Sequence, residues 1–168
     1  MKRALVFHPE RCLMCLSCVL ACELKAIGVE DAREPDLKSG AKPSRRLSMV
    51  LAGGTPWPER CRHCTQAPCA EACISGSIVR DDESSTVRHR QETCVGCGTC
   101  RLVCPFNAIA PDETGDCITK CNLCPEDATP RCVLACLTGA LTLGGAEGPA
   151  HQKRRRFAQA MIGERENG

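Results

Sequence analysis

Residues 94–105 read Cys94-Val95-Gly96-Cys97-Gly98-Thr99-Cys100-Arg101-Leu102-Val103-Cys104-Pro105, the pattern C-x2-C-x2-C-x3-C-P. Three thiolates spaced two residues apart can close round one cube of iron and sulfide, and this is the spacing of iron–sulfur ligation. The fourth, one helical turn further on, points the other way and suits a neighbouring cluster. Gly96 and Gly98 fit a loop whose backbone N–H groups turn inward to meet sulfur. Pro105 ends the short helix that follows the third cysteine.

The pattern recurs on either side. Cys12, Cys15, Cys18 and Cys22 are spaced C-x2-C-x2-C-x3-C; Cys61, Cys64, Cys69 and Cys73 are spaced C-x2-C-x4-C-x3-C. Cys121, Cys124, Cys132 and Cys136 are spaced C-x2-C-x7-C-x3-C. Every group ends in C-x3-C and is followed by a short apolar run, so the chain is an internal repeat. Sixteen of the 17 cysteines fall into it, and Cys117 alone stands outside.

Between the groups, strands are expected at Arg3–Phe7 and at residues 46–51, 108–110 and 140–143. Residues 77–80 and Thr86–His89 flank the polar run 81–85 as a β-hairpin. Residues 23–29 continue a helical turn; 30–43 and 111–116 read as loops, and 53–56 as a turn. The tail carries Lys153-Arg154-Arg155-Arg156 and reads as a frayed helix or a disordered segment.

Composition agrees with a metal protein. Four aromatic residues in 168 are a thin supply for a conventional core, and clusters acting as internal cross-links would make up the deficit. Nothing at the start resembles a secretory signal, because His8 and Pro9 arrive before an apolar run develops. No run of 18 apolar residues exists, so no direct membrane insertion is expected. A cytoplasmic location follows, where reduced thiols favour metal ligation over disulfides, with contact to the inner membrane face only through a partner. A net charge of +2 argues for no nucleic-acid partner.

The twenty residues between Cys73 and Cys94 hold one hairpin, which suits two adjacent halves of one cluster-binding unit. By the exchange of fourth ligands, Cys61, Cys64 and Cys69 take Cys104, and Cys94, Cys97 and Cys100 take Cys73. The first and fourth groups then complete each other: Cys12, Cys15 and Cys18 with Cys136; Cys121, Cys124 and Cys132 with Cys22. An inner unit (54–112) is thereby inserted between the halves of an outer one (1–53 plus 113–145), followed by a basic tail (146–168). The rival is sequential pairing, first group with second and third with fourth. It would need the 38 residues between Cys22 and Cys61 to replace a hairpin.

Cys61-Arg62-His63-Cys64-Thr65-Gln66-Ala67-Pro68-Cys69 resembles the C-R-H-C-x-x-A-P-C signature of four-cluster ferredoxin-like electron-transfer subunits. Residues 94–106 and Lys120-Cys121-Asn122-Leu123-Cys124 fit the later blocks of that family, and the likeness covers nearly all of residues 1–145. It implies an α+β fold of two ferredoxin-like units, each with short helices on small antiparallel sheets and two [4Fe–4S] clusters, four in all. The same outer-and-inner pairing is a family feature. It also implies a non-catalytic wire for single electrons between a catalytic redox subunit and another redox partner. The compact length most resembles the iron–sulfur subunit of nickel carbon monoxide dehydrogenase. Small subunits of tungsten aldehyde oxidoreductase, molybdenum- or tungsten-pterin formate dehydrogenase and hydrogenase complexes follow, and further copies of the chain itself are a conceivable partner. Two departures stand out: Leu137 follows Cys136 where many relatives have Pro, and Cys117 has no counterpart.

Other readings compete. Cys117, Cys121 and Cys124 spell C-x3-C-x2-C, the radical S-adenosylmethionine signature, but the chain is short for that fold and fourteen other cysteines go unexplained. Four C-x2-C pairs can be zinc ribbons, though structural zinc takes two separated pairs and not a third and fourth cysteine in close succession. A free, exchangeable polyferredoxin is a further alternative. Cys117 can also serve as a spare ligand. His63 can donate a hydrogen bond to cluster sulfur or simply pack at the domain seam. Arg60, Arg62, Arg101 and Lys120 adjoin ligands; simple solvation is the plain reading of each, and easier cluster reduction the functional one. Lys153–Arg156 can dock an acidic partner or be solvated.

Overall fold

Strand β1 (Arg3–Phe7) runs antiparallel to β8 (Leu141–Gly145) at the far end of the chain, with Leu5 opposite Leu143. This computed structural model describes residues 3–29, 45–145 and 157; the polar loop 30–43 and the basic tail read from the sequence lie almost wholly outside them. Three hairpins complete the sheets: β2 (Leu47–Ala52) with β3 (Thr55–Arg60), β4 (Ile78–Asp81) with β5 (Thr86–His89), and β6 (Ile109–Pro111) with β7 (Ile118–Lys120). Short helices α1 (Ser17–Ala26), α2 (Pro68–Glu71), α3 (Thr99–Val103) and α4 (Arg131–Leu134) follow the cysteine loops. The architecture is α+β, with short helices and two-stranded antiparallel sheets, as the sequence led one to expect.

The order of elements repeats. Strand, 3-10 turn, helix, hairpin, helix, strand describes β1 to β4 and again β5 to β8. Helix α1 packs on α4 and α2 on α3, as β1 pairs with β8 and β4 with β5. Two of the elements extend what sequence reading gave. Gly53 and Gly54, at φ of 56° and 81°, form the whole turn, and Thr55 and Pro56 already belong to β3. Two consecutive positive φ angles are the two-residue hairpin geometry that matches strand twist. Pro56 and Pro58 lie opposite Leu51 and Met49, two residues apart, so both ring nitrogens face the open side of β3 and no ladder bond is lost. Likewise the expected loop 111–116 is the tip of a hairpin, closed by β7 and by the Asp112 carboxylate, which accepts from the amides of Gly115 at 2.8 Å and Cys117 at 3.3 Å.

The interior is built from small side chains and thiols. One apolar cluster joins Leu5, Leu47, Leu123 and Leu141 to Cys61, Cys121 and Cys132. A second joins Ile78, Val87, Ile109 and Ile118 to Cys69 and Cys100. Leu141 is 2% exposed and Leu137 is 92% exposed. Leu141→Ala should therefore cost about 2–5 kcal/mol. Thermal bleaching of the metal-loaded protein should show a clear fall in midpoint for Leu141→Ala and none for Leu137→Ala.

Candidate metal centres

Each C-x-x-C loop is bent at a left-handed residue just before the second cysteine, and in the fourth group Cys124 itself, at φ of 46°, is left-handed as well. Met14, His63, Gly96 and Leu123 hold this place at φ of 54°, 51°, 64° and 63°. Three carry side chains in a conformation that costs an L-residue roughly 1–2 kcal/mol, so the turn is maintained against local preference. In the first and third groups a second left-handed residue, Leu16 (φ 61°) or Gly98 (φ 73°), caps the helix that carries the third cysteine. Glycine at 96 has its own reason. A Cβ there would lie 2.4 Å from the backbone oxygen of Asp116, in the β6–β7 hairpin.

These loops gather thiols from different groups. Cys18 lies within electrostatic reach of Cys136 and Cys12. Cys22, four residues later, lies instead among Cys121, Cys132 and Cys124. Cys64 is near Cys61 and Cys104, and Cys69 near Cys61, Cys104 and Cys64. Cys100 neighbours Cys73, Cys97 and Cys94. Contacts also run between these gatherings: Cys132 is near Cys18, and Cys121 near Cys61.

Burial, then mutual repulsion, pushes the thiols of Cys69 and Cys132 up to about 11 and about 12. Burial also raises the thiol of Cys22, and Cys121, Cys132 and Cys124 add to it. At the surface the balance reverses. The Ser17 hydroxyl lies 3.4 Å from the Cys15 sulfur and lowers that thiol; Thr99, at 3.5 Å, lowers Cys97. Burial of Cys73 is outweighed by hydrogen bonds from Ser77, the Ile78 amide and Ser75, and its thiol falls to about 7.

Buried donors lie in the same region. Arg60 and Lys120, the residues before the first cysteines of the second and fourth groups, are 4% and 5% exposed. Arg60 donates to the carbonyls of Leu5 at 2.6 Å and Cys61 at 3.0 Å. Lys120 donates to Val87 O and, at 2.9 Å, to Cys121 O. The solvated reading of these two cations is thereby corrected. Arg101 is exposed, and Arg62 stacks on Trp57 at 4.8 Å from the ring centre. His63 is buried, and its Nδ1 accepts the Val87 amide at 3.0 Å. Burial and the cations Lys120 and Arg60 depress its pKa to about 3, so the neutral ring carries its proton on Nε2. That N–H, like Nε–H of Arg60, is buried with no acceptor among the described residues.

Cys117 is buried, its sulfur 3.7 Å from His89 Nε2 and 4.0 Å from the Gln91 carbonyl. His89, Cys94 and Cys117 bring one ligand atom each within 4.8 Å of one another. Cys117 thus keeps company with Cys94, whereas Cys121 and Cys124 stand by Cys22, and the C-x3-C-x2-C signature is not assembled as a unit.

An iron–sulfur group fits this donor set. Mutually repelling thiolates call for a cationic centre, and the orphan N–H groups of His63 and Arg60 call for an acceptor of sulfide or thiolate type. The 4Fe–4S dicluster domain model matches residues 55–146. The chain is 34% identical over 152 residues to an iron–sulfur protein of Rhodospirillum rubrum, covering 81% of this chain and 78% of that one. It is 30% identical to the NrfC homolog of Haemophilus influenzae, over 96% of this chain and 73% of the relative. It is 29% identical to the thiosulfate reductase electron transfer subunit PhsB of Salmonella typhi, over 83% and 74%. The chain therefore belongs to the 4Fe–4S dicluster family of iron–sulfur electron-transfer proteins. No helix among the described residues is long and apolar enough to cross a membrane.

Because the Asp116 carbonyl, and not the left-handed turn alone, demands glycine at 96, Gly96→Ala should lose iron far more readily than Gly98→Ala. A Cβ at 98 meets nothing within 4 Å, leaving only the conformational cost of about 1–2 kcal/mol. Iron retained after a fixed exposure to chelator reads the difference.

Proposed function

We propose that the chain is a non-catalytic electron-transfer subunit holding four [4Fe–4S] clusters in a row. Cys12, Cys15, Cys18 and Cys136 would hold the first; Cys22, Cys121, Cys124 and Cys132 the second. Cys61, Cys64, Cys69 and Cys104 would hold the third, and Cys73, Cys94, Cys97 and Cys100 the fourth. The observation that carries this reading is that Cys22 has the fourth group's thiols, and not its own group's, as its electrostatic neighbours. The nearness of Cys18 to Cys136, of Cys64 and Cys69 to Cys104, and of Cys97 and Cys100 to Cys73 supports it in the other three sets. When bound, such clusters supply one-electron oxidation and reduction.

The protein's part is to fix the order and expose the ends. Cys132 beside Cys18 supports contact between the first and second sets, and Cys121 beside Cys61 contact between the second and third. Helix α2 carries Cys69, with Cys73 just beyond it, and so ties the third set to the fourth. The exposed cysteines are Cys15 and Cys97, one in each terminal set. Exposed Leu13 and Leu16 adjoin the one and Val95 adjoins the other, which suits docking of a redox partner at either end.

The partner we infer is the catalytic subunit of an oxidoreductase. Nickel carbon monoxide dehydrogenase stands first, on the absence of long insertions between the cysteine groups, and a tungsten- or molybdenum-pterin enzyme or a hydrogenase second. The wealth of thiols favours a reducing, cytoplasmic setting. Protein purified without oxygen should be brown and contain about sixteen iron and sixteen sulfide per chain, four cubes' worth. Iron near eight per chain would reduce the relay to two clusters, and a colourless zinc protein would refute it.

A further inference from the structure

Arg60 and Lys120 are the buried charged side chains among the described residues. They occupy equivalent places in the two halves of the repeat, each just before the first cysteine of a group at the end of a hairpin strand. Each bonds the carbonyl of the next residue and one carbonyl on the first strand of its own half, Leu5 in β1 or Val87 in β5. Neither meets a carboxylate among the described residues. A buried cation without an anionic partner is costly, and carbonyl dipoles offset only part of that cost.

The anions that remain are thiolates, and they belong to two sets. Arg60 lies within reach of Cys121 and Cys132 on one side and Cys61 on the other. Lys120 lies near Cys121 and near Cys69. Both cations therefore stand at the seam between the two interior sets. The terminal sets are served differently, by hydroxyls: Ser17 at Cys15, Thr138 at Cys136, Ser75 and Ser77 at Cys73, Thr99 at Cys97.

We propose that Arg60 and Lys120 are redox-positioning residues that hold up the reduction potentials of the two interior sites, so that the buried middle of the relay is not a barrier to electrons. The inference rests on the four-cluster reading. Burial in a dry interior disfavours adding an electron to an anionic centre, and a fixed cation at short range in low dielectric opposes that effect. Placing both cations at the seam lets them act on two sites at once while leaving the ends to solvent and hydroxyls.

The test uses the full chain, purified without oxygen and titrated against potential with EPR detection. Lys120→Gln keeps an N–H donor for the two carbonyls and removes the charge. It should make reduction of two of the four centres about tenfold less favourable, about 59 mV lower for a one-electron step, with the other two unmoved. Lys120→Arg should restore both. Arg101→Met removes an exposed cation beside the fourth set and should move nothing comparable. Unchanged midpoints in Lys120→Gln, or an equal shift at all four centres, would overturn the proposal. In the unmutated protein, two midpoints should hold steady from low to high salt, because screening does not reach buried charges, and four that move alike would also overturn it. Iron and sulfide content separates the two levels: a wild-type chain with fewer than four clusters fails the functional reading itself, whereas full loading with static potentials fails only this inference.

Discussion

The three residues between the third and fourth cysteine of each group govern the architecture. They carry the fourth thiol one helical turn along, and there it finds thiols of another group: Cys22 stands with Cys121, Cys124 and Cys132, and Cys104 with Cys64 and Cys69. Segments more than a hundred residues apart, such as those of Cys18 and Cys136, are thus brought together by the same short step that brings neighbours together. The rest is built to serve it. Helices of four or five residues at α2, α3 and α4 each carry the third thiol of a group and end one or two residues before the fourth. A core with so few large side chains makes structural sense when cysteines such as Cys61, Cys121 and Cys132 sit within it.

The repeat gives this arrangement a second level of order. Met14, His63, Gly96 and Leu123 perform one backbone task with four different side chains, and each side chain is then free for a local use. Leu123 fills the core, His63 receives the Val87 amide, and Gly96 makes room for the Asp116 carbonyl. Arg60 and Lys120 show the same economy, a guanidinium and an ammonium reaching equivalent carbonyls in the two halves. Chemistry that looks irregular along the chain becomes regular once the halves are superposed in order.

Much of this was legible in the sequence because cysteine spacing is a direct statement about which thiols can meet. Strand β1 and the hairpin of β4 and β5 were equally plain, being apolar or β-branched runs bounded by polar turns. Strand β3 was hidden by Pro56 and Pro58, which argue against a strand unless its open edge is known, and β7 by its length of three residues. Because β2–β3 and β6–β7 run across residues 53–54 and 112–113, the boundaries drawn there between inner and outer units fall at hairpin tips and not between separate elements. The burial of Arg60 and Lys120 could not be read at all, since a cation beside a ligand is ordinarily solvated. Nor could the approach of Cys117 to His89, which depends on how the β6–β7 hairpin folds against the third group.

The central claim is that cysteine groups complete one another across the chain. Crystallography of the protein prepared without oxygen, with anomalous scattering at the iron edge, tests it most directly. Four iron positions are expected, the one beside Cys12, Cys15 and Cys18 closed by Cys136 and the one beside Cys61, Cys64 and Cys69 closed by Cys104. Iron held by Cys12, Cys15 and Cys18 with Cys73, as sequential pairing requires, would contradict it.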